Sequence, residues 1–189
     1  IALTAPLAAA GIIPAGTQLS CFSLTGYSGG GKSMIGQYTA QPRPEGLHAP
    51  RQYALGQTHK HLLEMAAQSG LPAPLFCPVV GDYYSGMQVT VPLSAAQCAP
   101  GTTPEVIAEV YRAAYPGPVV TYVDTPTKDG FLSAAALAGK DTMQIAVTGN
   151  AERMLLLAVY DNLGKGASGA AVECLNIVLG TDPTTGLCL

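Results

Sequence analysis

Apolar positions along the chain fall into short blocks of differing period. Residues 1–10 form a continuous apolar run, read as a short buried helix ended by Gly11 and Pro14. Residues 17–25 alternate loosely and predict a strand. After Gly29-Gly30-Gly31, residues 32–39 read as a short helix, and Pro42, Pro44 and Pro50 make the next stretch a loop. Good helix formers over 58–69, with Thr58 as N-cap and Gly70 just past the end, predict a helix. Residues 76–80 and 86–93 read as strands, the second with Met87, Val89, Val91 and Leu93 on one face. Thr103-Pro104-Glu105 marks a helix start, with an N-cap, a proline at the first position and an acid in the first turn. Its apolar stripe is Val106, Ile107, Val110, Tyr111 and Ala114. Residues 119–123, 143–148 and 153–160 read as strands, the last two joined by a turn at Gly149-Asn150. A final helix over 165–179 stops at Gly180.

Six strands, with neighbours in sequence adjacent near the end, give an α+β class: a mixed, largely antiparallel sheet with helices packed on one face, not a doubly wound fold. The 189 residues suffice for one domain with a full core. Charged residues make up only 11% of the chain, against roughly 25% in typical soluble domains. With 48% hydrophobic residues, part of the outside is expected to be covered by another domain or subunit. A net charge of −3 without any basic stripe speaks against a nucleic-acid partner. The apolar start lacks a basic leader and is too short to span a bilayer, so no membrane role is expected. It begins in mid-pattern, and a preceding segment is expected. Five widely spaced cysteines with no CxxC read as free thiols in a reducing, cytoplasmic compartment, with no metal site.

Three motifs carry candidate chemistry. Gly26 to Ser33 fits GxxxxGK[ST], in which backbone amides wrap a phosphate and Lys32 neutralises it. The strand ending in Asp161 could imitate the acidic partner of such a loop. A nucleotide-binding P-loop needs a parallel sheet with β-α-β crossovers, and the following helix carries Gly36 in its first turns. A plain glycine turn, or a loop approaching a phosphorylated substrate or cofactor, are the other readings. His59-Lys60-His61 comes next. On a helix, two residues apart lie on nearly opposite sides, which speaks against chelation of one metal. His59 in a helix's first turn would stay neutral and able to accept a proton, or would be a plain surface histidine. Finally, Asp161-Asn162-Leu163-Gly164-Lys165-Gly166-Ala167 joins a strand to a helix. Either Asp161 or Asn162 caps that helix, or the Asn162 amide meets a ligand.

In this order the three motifs resemble N-acetyl-gamma-glutamyl-phosphate reductases of the shorter bacterial form, over nearly the whole chain. The glycine motif Gly26 to Lys32 and the stretch His59-Lys60-His61-Leu62 with Glu64 are the more specific parts. The Asp161 to Ala171 motif is shared with aspartate-semialdehyde dehydrogenases. The resemblance implies the C-terminal catalytic and dimerisation domain of that superfamily, which includes glyceraldehyde-3-phosphate dehydrogenase. It implies NADP(H)-dependent reduction of N-acetyl-glutamyl phosphate in arginine biosynthesis, through a cysteine thioester, by a homodimer or homotetramer. His59 is then the acid/base, six residues after Tyr53. Asn162, Gly29 and Gly30 would meet the cofactor, and Ser28, Lys32, Tyr53, His61 and Glu64 the substrate. The chain departs from the pattern in having Leu63 where proline is usual and Thr25 where serine is common. It has neither the nucleophile's Gly-Cys-Tyr-Pro-Thr segment nor the dinucleotide-binding region, so residues 1–189 alone are expected to be inactive.

Overall fold

The computed structural model describes all residues from 1 to 189. Seven strands make one sheet: β1 (Ser20–Gly26), β2 (Arg51–Gln52), β3 (Leu75–Gly81), β4 (Met87–Ser94), β5 (Val120–Tyr122), β6 (Met143–Gly149) and β7 (Arg153–Tyr160). Their order is β2-β3-β1-β4-β7-β6-β5. Pairs β1–β3 and β5–β6 are parallel; β2–β3, β1–β4, β4–β7 and β6–β7 are antiparallel. The α-helices are α1 (Ala5–Ala9), α2 (Gly31–Thr39), α3 (His61–Ser69), α4 (Pro104–Ala114) and α5 (Gly169–Leu179). The class is α+β with a mixed, largely antiparallel sheet. The seventh strand, β2, has two residues and no periodicity to betray it.

Helices α1, α3 and α4 pack on one sheet face. Leu7 (α1), Leu62 (α3) and Ile107 and Tyr111 (α4) meet Cys21, Phe76, Val91, Ile145, Met154 and Leu156 in one core. Full burial of such aliphatic side chains is worth about 1.5–3 kcal/mol each. The Tyr111 hydroxyl donates to Leu3 O at 2.6 Å, tying the start of the chain to α4. β7 is buried on both faces: Met154, Leu156 and Ala158 alternate with Leu157 and Val159, and all five are buried. That explains its unbroken apolar run. Over β1 the other face is open, with Phe22 and Leu24 exposed, and Leu155 is exposed on the same side of β7.

The outer edge of β3 is closed in an unusual way. β2 reaches only Val79 and Val80. Beyond it, Tyr53 N–H donates to Pro78 O at 3.1 Å. The Gln57 side chain then donates to Phe76 O at 2.7 Å and accepts from Phe76 N–H at 2.9 Å. Pro78, which has no N–H to donate, stands where only a carbonyl needs a partner.

Candidate active site

A cleft of about 360 Å³ opens at the carboxyl ends of β1, β3 and β7. Its floor is one row across the sheet. Val80 lies beside Thr25, Thr25 beside Met87, and Met87 beside Tyr160. Above this row the chain brings Gly29 and Gly30, Tyr53, His59 to His61, and Asn162 with Gly166 to the same cleft.

His59 lies two residues before the first residue of α3, not inside its first turn. Its Nδ1 accepts the His61 backbone N–H at 3.3 Å. The His59 ring therefore serves a free amide at the start of α3, the capping task expected of Thr58. With Nδ1 accepting, the neutral ring carries its proton on Nε2. Burial holds the His59 pKa below the ordinary imidazole value, helped by His61 and Lys60 and partly opposed by Glu64. The rings of His59 and His61 are 4.7 Å apart, so the opposite-sides argument fails for this pair, because His59 is not helical. Phe76 meets the His59 ring edge-on at 5.3 Å and Tyr53 sits 6.0 Å away. No group of three or more His, Cys, Asp or Glu side chains is placed to hold a metal ion.

The glycine loop turns from β1 through a 3-10 turn, Tyr27–Gly30, into α2. Tyr27 stacks on Tyr38 at 4.5 Å and meets Tyr84 edge-on, which pins the turn. Gly26 N–H donates to Gly86 O, Tyr27 N–H to Tyr83 O and Ser28 N–H to Tyr84 O. Gly26 passes so close to the Tyr84 carbonyl that a side chain would overlap it. Contrary to expectation, β1 and β3 are a parallel pair whose crossover begins with this loop. A parallel crossover is thus present without the rest of a P-loop. Three loop amides are already bonded to carbonyls, and the Asp161 carboxylate is fully engaged elsewhere, as described next. Gly31, at φ +68°, redirects the chain and opens α2, and Lys32 next to it is exposed and outside the cleft lining.

Asp161 and Asn162 lock the site from below. Asp161 Oδ1 accepts from Leu163 N–H at 2.6 Å and Gly164 N–H at 2.9 Å. Its Oδ2 accepts from Ser85 Oγ–H and Gly139 N–H. Burial pushes the carboxyl pKa upward, but the bonds from Gly139, Gly164, Leu163 and Ser85 outweigh it and hold the group below the usual range. Asn162 Oδ1 accepts Gly86 N–H at 2.8 Å, and Nδ2 donates to Ser28 Oγ at 3.0 Å. One side chain thus joins the glycine loop to the β3–β4 loop. Ser168 N–H reaches Leu163 O and Gly166 N–H reaches Asp161 O, five residues back, so a π-helical turn at Gly164–Ser168 precedes α5.

Of the residues singled out from sequence, His59, His61, Tyr53, Gly29, Gly30 and Asn162 share the cleft. Ser28, Lys32 and Glu64 do not line it. Ser28 is buried behind Asn162, and Lys32 and Glu64 face solvent. Sequence reasoning missed Lys60 and Tyr160. The Tyr160 hydroxyl has no protein partner, its ring packs over Gly166, and burial, then Cys21 and Tyr53, push its pKa to about 12. A tyrosine closing an apolar strand was the available signal. Gly29, Gly30 and Gly166 leave a strip of bare backbone beside Asn162, whose second Nδ2 hydrogen is uncommitted. A Cβ at these three positions would meet Asn162, Met34 and Asp161 respectively, so the glycines serve the packing of the cleft's own wall.

The sequence profile of the semialdehyde dehydrogenase dimerisation domain matches residues 1–162. The chain belongs to that family. It is 42% identical over 186 residues to an N-acetyl-gamma-glutamyl-phosphate reductase of Rhizobium leguminosarum bv. trifolii, covering 95% of this chain and 60% of the relative. A protein of the same name from Allorhizobium ampelinum is 44% identical with the same coverage. The chain therefore spans about 60% of the length of these curated relatives. Among solved structures, a probable aspartate-semialdehyde dehydrogenase from Pseudomonas aeruginosa superimposes with TM-score 0.69 at 18% identity, covering 94% of this chain and 58% of that one. Aspartate semialdehyde dehydrogenase II from Vibrio cholerae gives 0.66 at 17%, covering 95% and 58%. At these identities the structural likeness establishes the fold alone. No helix of this family member is long and apolar enough to cross a membrane.

Proposed function

We propose that the full-length protein is a cytoplasmic, NADPH-dependent reductase of arginine biosynthesis that converts N-acetyl-γ-glutamyl phosphate to its semialdehyde. Residues 1–189 would be its single catalytic and dimerisation domain. A dinucleotide-binding domain and a nucleophilic cysteine would lie in the part of the protein that the relatives have and this chain does not span. The observation that carries this reading is the convergence of the His59 ring, the bare glycine strip and the Asn162 amide on one cleft, from three distant stretches of sequence.

In this mechanism a thiolate attacks the acyl carbon. The carbon–sulfur bond forms, the carbon–oxygen bond to phosphate breaks, and phosphate leaves. Lys60 and His61 at the cleft wall favour the anionic phosphoryl group, while Tyr53 borders the substrate. NADPH, when bound, supplies the hydride that converts the thioester carbon to the aldehyde level. Gly29 and Gly30 would let that cofactor approach the backbone, and Asn162 would offer its free Nδ2 hydrogen. Nε2 of His59 is the ring nitrogen left to hydrogen-bond the carbonyl oxygen as charge develops there. The departing phosphate takes up one proton; His59 would give it from the imidazolium form, with Nδ1 protonated and released from the His61 N–H, and returns to the neutral ring in doing so. Collapse of the tetrahedral adduct then returns the thiolate. Ser28 acts only through Asn162.

The test uses the intact protein, assayed for phosphate-dependent reduction of NADP⁺ by N-acetyl-glutamate semialdehyde. Activity is expected, and His59→Asn should lower kcat by about 10²–10⁴, the usual worth of a positioned acid/base. Intact protein that turns over neither this substrate nor the acyl phosphate would sink the proposal.

A further inference from the structure

Tyr160 is the one side chain on the cleft floor with an unpaired polar group. β7 ends on it, with Met87 of β4 and Met143 of β6 opposite it on the two neighbouring strands. Its ring lies along the bare backbone of Gly166: a side chain begun there would stand 3.4 Å from the ring and 3.2 Å from Asp161 O. The hydroxyl has no partner in the protein. Unlike the hydroxyl of Tyr83 it is not sealed from solvent, and the residue lines the cleft. The other floor positions have nothing comparable. Thr25 Oγ donates to Gly26 O at 3.3 Å, and Val80 and Met87 are apolar. Burial, then Cys21 and Tyr53, keep the phenol protonated well above neutral pH, so the hydroxyl is a standing donor. A half-buried donor without an acceptor is unfavourable until a ligand supplies one.

This inference rests on the reaction proposed above, whose substrate carries an acyl phosphate at one end and an acetamido group and a carboxylate at the other. The reacting carbon lies at His59, the phosphoryl group by Lys60 and His61, and the cofactor by Gly29, Gly30 and Asn162. The far end of the substrate is then left to the floor. We propose that the Tyr160 hydroxyl donates to the amide oxygen of the substrate's acetamido group, and so selects N-acylated substrates over those that lack the group. Of the two polar groups at that end, the acetamido group is the one suited to this place. It is neutral, it presents a good acceptor, and its methyl can lie against the Met87 thioether. A carboxylate would set its charge against Val80 and Met87, with no cation on the floor to meet it, and would lose more on leaving water. Tyr160 touches the substrate away from the reacting atoms, so it governs binding of the right substrate and leaves the chemical steps to His59 and the thiolate.

Two aldehydes test this in the full-length protein, assayed in the phosphate-dependent oxidative direction: N-acetyl-glutamate semialdehyde, and 5-oxopentanoate, the same molecule without the acetamido group. Tyr160→Phe keeps the ring on Gly166 and removes only the oxygen. It should raise KM for the acetylated aldehyde about tenfold, as loss of one hydrogen bond does, with kcat changed by less than about twofold. For 5-oxopentanoate, kcat/KM should stay within about twofold of the wild type. Competitive inhibition by N-acetyl-glutamate and by glutarate repeats the comparison without turnover: the first should weaken about tenfold and the second should not change. Because both members of each pair are read on one variant, a general loosening of the fold cannot imitate this split. Equal losses for both members, or no loss for either, would overturn the inference and leave the proposed reaction standing. A wild type that oxidises neither aldehyde would instead bring down the reaction, and this inference with it.

Discussion

Four hydrogen bonds converge on the Asp161 carboxylate, a group only 2% exposed. Replacing it with asparagine keeps the size but turns one acceptor into a donor, facing donors. Asp161→Asn is expected to destabilise the fold by about 2–4 kcal/mol, read by chemical denaturation, since buried groups lose partners on either side. Because the folded carboxyl pKa is depressed, its contribution is present above the unfolded value of about 3.9 and is lost as pH falls through the lower folded value. In D161N that acid-side loss should shrink. His59 shifts in the same direction. Its folded pKa is lowered, so the neutral ring persists below the free-imidazole value of about 6.5. In the oxidative direction, where the proposed role needs the neutral ring as base, the acid limb of kcat/KM of the full-length protein should therefore fall below that value, and a limb above 7 would contradict the assignment. At this scale the sequence named His59 and Asn162 from motif context. It could not show that Asn162 spends its carbonyl on Gly86, nor that Tyr160 ends beside them, because both depend on strand register.

Among the elements, legibility followed local chemistry. The start of α4 was readable to the residue because Thr103 accepts from Val106 N–H and Pro104 opens the helix, although Val106 and Ala114 of the expected stripe are exposed and Ala108 is buried instead. α3 ends at Ser69 before a left-handed Gly70 as expected but starts three residues later than the 58–69 span, because the group capping it is a histidine ring and not a hydroxyl. The glycine loop was recognisable as a motif, yet its wiring to Tyr83, Tyr84 and Gly86 rests on residues about sixty positions away. Gly26→Ala should force that loop off the Tyr84 carbonyl. We expect a loss of about 1–3 kcal/mol in thermal or denaturant unfolding, in line with other overpacked sites. It should also weaken cofactor binding by the full-length protein, while a distant exposed change such as Gly46→Ala, which meets no neighbour, should do neither.

For the whole molecule, low charge goes with exposed apolar side chains, among them Phe22 and Leu24 on the open sheet face and Leu175, Val178 and Leu179 on α5. Belonging to a dimerisation-domain family, the chain is expected to pair through the sheet face. Leu24→Glu should shift the full-length protein towards monomer in sedimentation without altering its circular dichroism; an unchanged assembly would move the interface elsewhere. The parallel β1–β3 pair was not foreseen, since pattern along a chain says which segments are strands but not which long connection returns beside its start.

The Gln57 side chain bears on how copies of this sheet can meet. Residues 76, 78 and 80 of β3 direct their backbone groups outward, and an amide borrowed from a side chain completes the row where β2 runs out. That flank offers no vacant backbone pairing to a foreign strand, so growth by lateral stitching is blocked there and copies are left to meet face to face. Gln57→Ala would unzip this hem, and the expected cost appears first as clumping on storage, before any effect on chemistry.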